Sequence, residues 1–293
     1  MGTADDVWDD FDQLVANADT VSPWAGADND RRFAPDLGLL ARLLAVPLRH
    51  GTASRTGLPA KAIDVWLSAE LRRAGFDPDA VWPRPVRPRV MPAEIARLLE
   101  VLPRNERERL LGRLSAARSP AGVVSSESTV LGKAYHKQVD VVMASWARGP
   151  ELLVSTKRMD SSFSNNLLNR IEESYGDAKN LRARHPLAVL GYVFAVRSTV
   201  MDSDRLIFER LKDLLQKLAE EDDAYDATAL AVLRWDDSAV SQAGFSVEVV
   251  ADVVPDTLRI GRFLGRAIDL MLARTPVDLH VLARERREGR RIG

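Results

Sequence analysis

The stretch QVDVVMASWARGPELLVSTK, residues 138–157, decides how the chain is read. Its first part, Gln138–Ser145, is short and rich in β-branched residues, which predicts a strand. Trp146–Pro150 carries the turn residues, and Glu151–Lys157 predicts a second strand. An Asp between Val139 and Val141 is costly in such a run unless it is paired or binds a cation. Ser155-Thr156-Lys157 ends the second strand fifteen residues on from Asp140. A hairpin brings Asp140 and Lys157 to one end of a sheet. Ser155 and Lys157 face the same side, because strand side chains alternate.

Outward from this hairpin the pattern is α/β. Asn165–Arg184 is a long amphipathic helix, with Leu168, Ile171, Tyr175, Ala178 and Leu181 at helical spacing. Leu187–Val196 is nearly continuous in apolar residues, as in a strand buried on both faces. Asp204–Glu220 predicts a helix, Ala227–Trp235 and Phe245–Val253 strands, Asp256–Ala273 a helix and Val277–Ala283 a last strand. Before the hairpin, Val124–Tyr135 predicts a helix entered through Ser125 or Ser126. Residues 1–118 read as helical, with helices around Val7–Ala16, Leu37–Arg49, Pro59–Ala74, Pro92–Leu102 and Asn105–Ala116. A proline-dense stretch containing Trp82, Arg84, Arg87 and Arg89 interrupts them and reads as a stiff linker or a basic, DNA-contacting arm. RSPAG, residues 118–122, suggests a boundary. Two domains are expected: a helical one over 1–118, for DNA binding or dimerisation, and an α/β one over 119–293.

Composition removes several chemistries. The chain of 293 residues has no cysteine, so disulfides, thiolate zinc sites and cysteine nucleophiles are excluded. Its four histidines, His50, His136, His185 and His280, are scattered. A metal site would therefore use oxygen ligands, which suit Mg²⁺, Mn²⁺ or Ca²⁺. The formal net charge of −1 argues against a non-specific polyanion binder, but not against a basic cleft offset elsewhere. No apolar run reaches the roughly 18 residues of a membrane span, and the acidic start lacks a signal-peptide pattern. A soluble, cytoplasmic protein is expected.

A carboxylate and a lysine converging at one sheet end suit metal-assisted phosphodiester hydrolysis. The acid holds a divalent ion that polarises the phosphate and acidifies a bound water. The lysine neutralises developing charge and orients that water. A cross-strand ion pair is the plainer alternative.

On these residues the chain resembles the PD-(D/E)xK nucleases. It is most similar to the type II restriction-enzyme branch in which Ser or Cys replaces the strand acid two before the lysine and a Glu on the next helix replaces it. Ser155 stands at that strand position, and Val139 stands where the family has proline. On the following helix, fourteen residues separate Lys157 from Glu172, one more than the branch's spacing, and Glu173 is the alternative. The resemblance covers roughly residues 125–200. It implies a restriction-endonuclease-like mixed sheet flanked by helices and cleavage of double-stranded DNA with Mg²⁺ (or Mn²⁺) by a homodimer. Asp140 and Glu172 would be metal ligands and Lys157 the electrostatic partner. Ser155 would line the site, and Glu127, on the helix before the hairpin, would assist a second metal. Glu127 is equally read as ordinary helix capping. Arg158, Ser161, Asn165 and Asn166, just past the lysine, are candidate base readers. Arg170 and Lys179 are candidate phosphate contacts. A repair nuclease selecting DNA structure and an inactive DNA-binding relative are the competing expectations.

Overall fold

The computed structural model describes residues 3–27, 30–52, 57–115, 124, 125 and 127–290. The chain opens with α1 (Ala4–Ala16), whose start is closed by reciprocal hydrogen bonds between Thr3 and Asp6. A small ribbon, β1 (Trp24–Ala25) and β2 (Arg32–Phe33), leads to α2 (Leu37–Arg49), capped by the Asp36 carboxylate on the Leu39 N–H. Pro47 sits inside α2 near its end. Next comes α3 (Leu58–Arg73), with Pro59 in its first turn. Then follow β3 (Val81–Trp82), α4 (Ala93–Glu100) and α5 (Arg104–Leu114).

After the stretch outside the described residues, which includes RSPAG, four strands run on: β4 (Ser128–Leu131), β5 (His136–Val139), β6 (Val141–Ser145) and β7 (Gly149–Met159). They are followed by α6 (Phe163–Arg182), β8 (Val189–Arg197), the single turn α7 (Val200–Ser203), α8 (Arg205–Glu220), β9 (Ala227–Arg234), β10 (Glu248–Val250), α9 (Ile260–Ala273) and α10 (Val281–Glu288).

The main sheet has six strands in the order β10-β9-β8-β7-β6-β3. β7, β8 and β9 are parallel, and the outer pairings are antiparallel. Alternating residues of β7 serve two cores. Leu152 and Val154 join α1, α2, α3 and α9 on one face, while Leu153 and Met159 join α6 and α8 on the other. This is a mixed α/β sandwich with helices on both faces.

Several expectations are corrected. Residues 128–139 form the β4–β5 hairpin, which overturns the helix expected over Val124–Tyr135. Ser128 and Val130 are buried while Thr129 and Leu131 are exposed, a period of two that helical capping does not explain. The last predicted strand, Val277–Ala283, is instead a turn running into the start of α10, and only residues 248–250 of Phe245–Val253 form a strand. The first 118 residues are not all helical: β3 is the edge strand of the main sheet. Their main core is shared with the rest of the chain, since Phe11, Leu43 and Trp66 belong to the same apolar cluster as Val141, Val193 and Phe263, while Met91, Ala96 and Leu99 form a small cluster of their own with Val124. The basic arm is tied down by ion pairs of Arg84 with Asp79, Arg87 with Asp5 and Arg89 with Asp12.

Candidate active site

Asp140 stands at a break. Val139 closes the small β4–β5 sheet opposite Ser128, and Val141 opens β6 in the main sheet opposite Val154. Asp140 therefore belongs to neither ladder, which is why a charged residue is tolerated in a valine run. Its Oδ2 accepts the Thr156 N–H at 2.8 Å, so the carboxylate takes the place of a strand partner beside β7. The Asp is thus fastened one residue from Lys157.

Beyond Val154, β7 presents Thr156 to α3 and presents Ser155 and Lys157 to α6. On the α3 side, Thr156 Oγ1 donates to Asp64 Oδ1 at 2.6 Å. Lys61 Nζ donates to Asp64 Oδ2 at 3.0 Å and lies 3.7 Å from Asp140 Oδ1. The Asp64 side chain is 1% exposed, and that of Lys61 is 26% exposed. Burial pushes the Asp64 carboxyl up to about 6; Lys61 opposes this and the like charge of Asp140 adds to it. Lys61 shifts upward too. Burial works against its charge, but Asp64, Asp140 and, more weakly, Glu127 outweigh it. The difference follows from position: Asp64 is enclosed, while Lys61 reaches the surface between two carboxylates.

On the α6 side, Lys157 Nζ lies 4.0 Å from Glu173 Oε1, and Lys137 Nζ lies 3.2 Å from the same oxygen. Lys137 also pairs with Asp177, which accepts from Tyr135 Oη at 3.1 Å. Although burial opposes its charge, Glu173 is held below the usual carboxylate range by Lys157 and Lys137. Ser155 is buried and faces Tyr225, whose phenol burial pushes well above its ordinary value.

The helix carboxylate beside Lys157 is therefore Glu173. Glu172, the first choice made from spacing, makes no ion pair among the described residues, whereas Glu173 faces Lys157 and Lys137. Glu127 precedes β4 and does not sit on a helix; it reaches the site only as part of the charge around Lys61. Arg158 is not available to a base edge. Its side chain is 3% exposed, pairs with Asp160, donates to the Pro59 carbonyl and lies over the Trp235 ring. Ser161 is exposed at the turn into α6, and Asn166 donates to the Ser162 carbonyl. The side chain of Asn165 lies outside the described residues. Arg170 is half-buried, with its Nε unpartnered. Lys179 pairs with Asp223 at 2.9 Å and packs over Tyr175.

Sequence reasoning missed Lys61, Asp64, Lys137 and Asp177. One signal was present for Asp64: a carboxylate among the inward positions of α3, beside Ile63 and Leu67, in a helix whose buried residues are mostly apolar.

As they stand, the carboxylates do not form a cage for a divalent ion. One Asp140 oxygen is bound to Thr156 N–H and the other faces Lys61, while Glu173 faces two lysines. Among the described residues no three acidic or histidine side chains converge as metal ligands. No family model, curated protein or solved structure matches the chain.

Proposed function

We propose that the chain hydrolyses phosphodiester bonds of double-stranded DNA, as a restriction or phage-defence endonuclease similar to the PD-(D/E)xK class. The observation that carries this is the fastening of Asp140 to the Thr156 N–H, which sets the break in the strand beside Lys157. Glu173 on α6 supports it by supplying a helix carboxylate at Lys157 in place of the strand acid replaced by Ser155.

In this reading Lys157 meets a phosphate oxygen. At 4.0 Å from Glu173 it is held more loosely than Lys61 or Lys137, whose carboxylate contacts are closer. Its ammonium opposes the charge that develops on the phosphate. Glu173 keeps Lys157 on the α6 side of β7, and Asp140 fixes the strand that carries it. The resemblance implies Mg²⁺ or Mn²⁺ and a homodimer cutting both strands of a two-fold site. Because each carboxylate already faces a lysine, no step is assigned to the ion.

A second reading, a DNA-binding relative without cleavage, is favoured by Lys61 standing where a cation would meet Asp140. Supercoiled plasmid and branched DNA, incubated with Mg²⁺, with Mn²⁺ and with a chelator, separate the alternatives. Discrete fragments that disappear on Lys157→Ala, with an unchanged melting temperature, support the restriction reading. Nicking confined to branch points moves the assignment to repair. Full activity in Lys157→Ala refutes the site, and tight binding without cleavage under every metal favours the second reading.

A further inference from the structure

The two sides of β7 differ in how their charges are balanced. On the α6 side, Lys137 and Lys157 face Glu173 and Asp177, two cations to two anions. On the α3 side, a single ammonium among the described residues, Lys61, serves Asp64 at 3.0 Å and Asp140 at 3.7 Å, with Glu127 adding to the negative field. Two carboxylates sharing one cation leave an excess of negative charge, which favours a cation between them. Here the position is filled by a side chain of the protein itself.

Lys61 is held there firmly. It lies one helical turn before Asp64, so both side chains project from the same face of α3 toward the sheet. Asp64 is anchored on its other oxygen by the Thr156 hydroxyl, and the neighbouring Thr156 N–H anchors Asp140. Thr156 therefore spaces the two carboxylates with its own two donors, and Lys61 Nζ bridges the free oxygens. The motif around Lys157 supplies Asp140 and Thr156, while Lys61 and Asp64 come from α3, far upstream in the chain.

We infer that Lys61 is the resident cation of the Asp64–Asp140 pair, and that a divalent ion reaches Asp140 only by displacing its ammonium. The inference rests on the proposed function only in taking Asp140 as the acid to which such an ion would be drawn. It makes Lys61 a positioning residue that sets how much metal the site takes up before DNA arrives.

The test is direct binding of Mn²⁺ to the full chain without DNA, followed by electron paramagnetic resonance of the free ion and by calorimetry. Lys61→Met is expected to bind Mn²⁺ roughly tenfold or more tightly than the unaltered protein, the scale of coupling between neighbouring sites. Adding Asp140→Asn is expected to remove the gain. Should Lys61→Met fail to fold, Lys61→Met/Asp64→Asn removes the buried carboxylate with its partner and leaves Asp140 to report. Equal or weaker Mn²⁺ binding in the folded Lys61 variants overturns the inference, as does a gain that survives Asp140→Asn. Because no cleavage is measured, a protein that never cuts DNA still gives a clear answer.

Discussion

Asp64→Asn isolates the cost of holding a charge against the sheet. The substitution keeps the shape and leaves an oxygen for the Thr156 hydroxyl, but removes an ionisable group that is 1% exposed. In the folded protein Asp64 titrates at about 6, against an ordinary 3.8, chiefly because burial disfavours the carboxylate. Between these values the folded state binds more protons than the unfolded state, so stability falls as pH rises. The contribution of Asp64 is fully present below about 3.8 and is lost as pH passes through about 6. The rise from 3.8 to about 6 corresponds to about 3 kcal/mol. Urea unfolding of both proteins from about pH 4 to pH 7.5 reads this as a difference of differences, in which groups common to both cancel. The stability of the unaltered protein relative to Asp64→Asn is expected to drop by about 3 kcal/mol across that range. A flat difference refutes the desolvated carboxylate. A difference that grows with pH shows that Lys61 outweighs burial, and the order of effects assigned at the α3 side is then reversed.

Two further perturbations test the frame around the site. Asp226 binds Arg182 and Arg274 and accepts the Leu190 N–H at 2.8 Å, and these partners hold it below the usual carboxylate range against the effect of burial. Asp226→Ala is expected to cost about 3 kcal/mol or more at pH 7 by thermal or urea unfolding. Since its folded pKa is depressed, that contribution is present above about 3.8 and fades as pH falls through the lowered value; a loss unchanged in acid contradicts the assignment. Gly191→Ala in β8 places a methyl 2.8 Å from Phe263 and 3.1 Å from Val154. It is expected to destabilise by about 1–3 kcal/mol through overpacking, with partial recovery on Phe263→Leu, and an unaffected midpoint contradicts the tight β8–α9 contact.

The residues themselves determined the regular frame. β7, α6, β8, α8, β9 and α9 were legible because their apolar spacing is a local property, matched to one repeat or the other over many residues. Asp140 and Lys157 were legible as a pair because only a short hairpin separates them, and its turn brings them to the same end of the sheet. Between Glu172 and Glu173 spacing was a poor guide. Neighbours on a helix differ by about 100° in direction, so the choice depends on how α6 is rotated against the sheet. The β4–β5 hairpin was missed because Ser, Thr and Val in a short stretch fit a capped helix as readily as an alternating strand. Only the tertiary structure decided that α3 belongs to the site, since no local pattern links Lys61 and Asp64 to a strand so far along the chain. Their convergence depends on α3 packing across β6 and β7, where Thr156 offers one donor to each carboxylate and Lys61 joins the two.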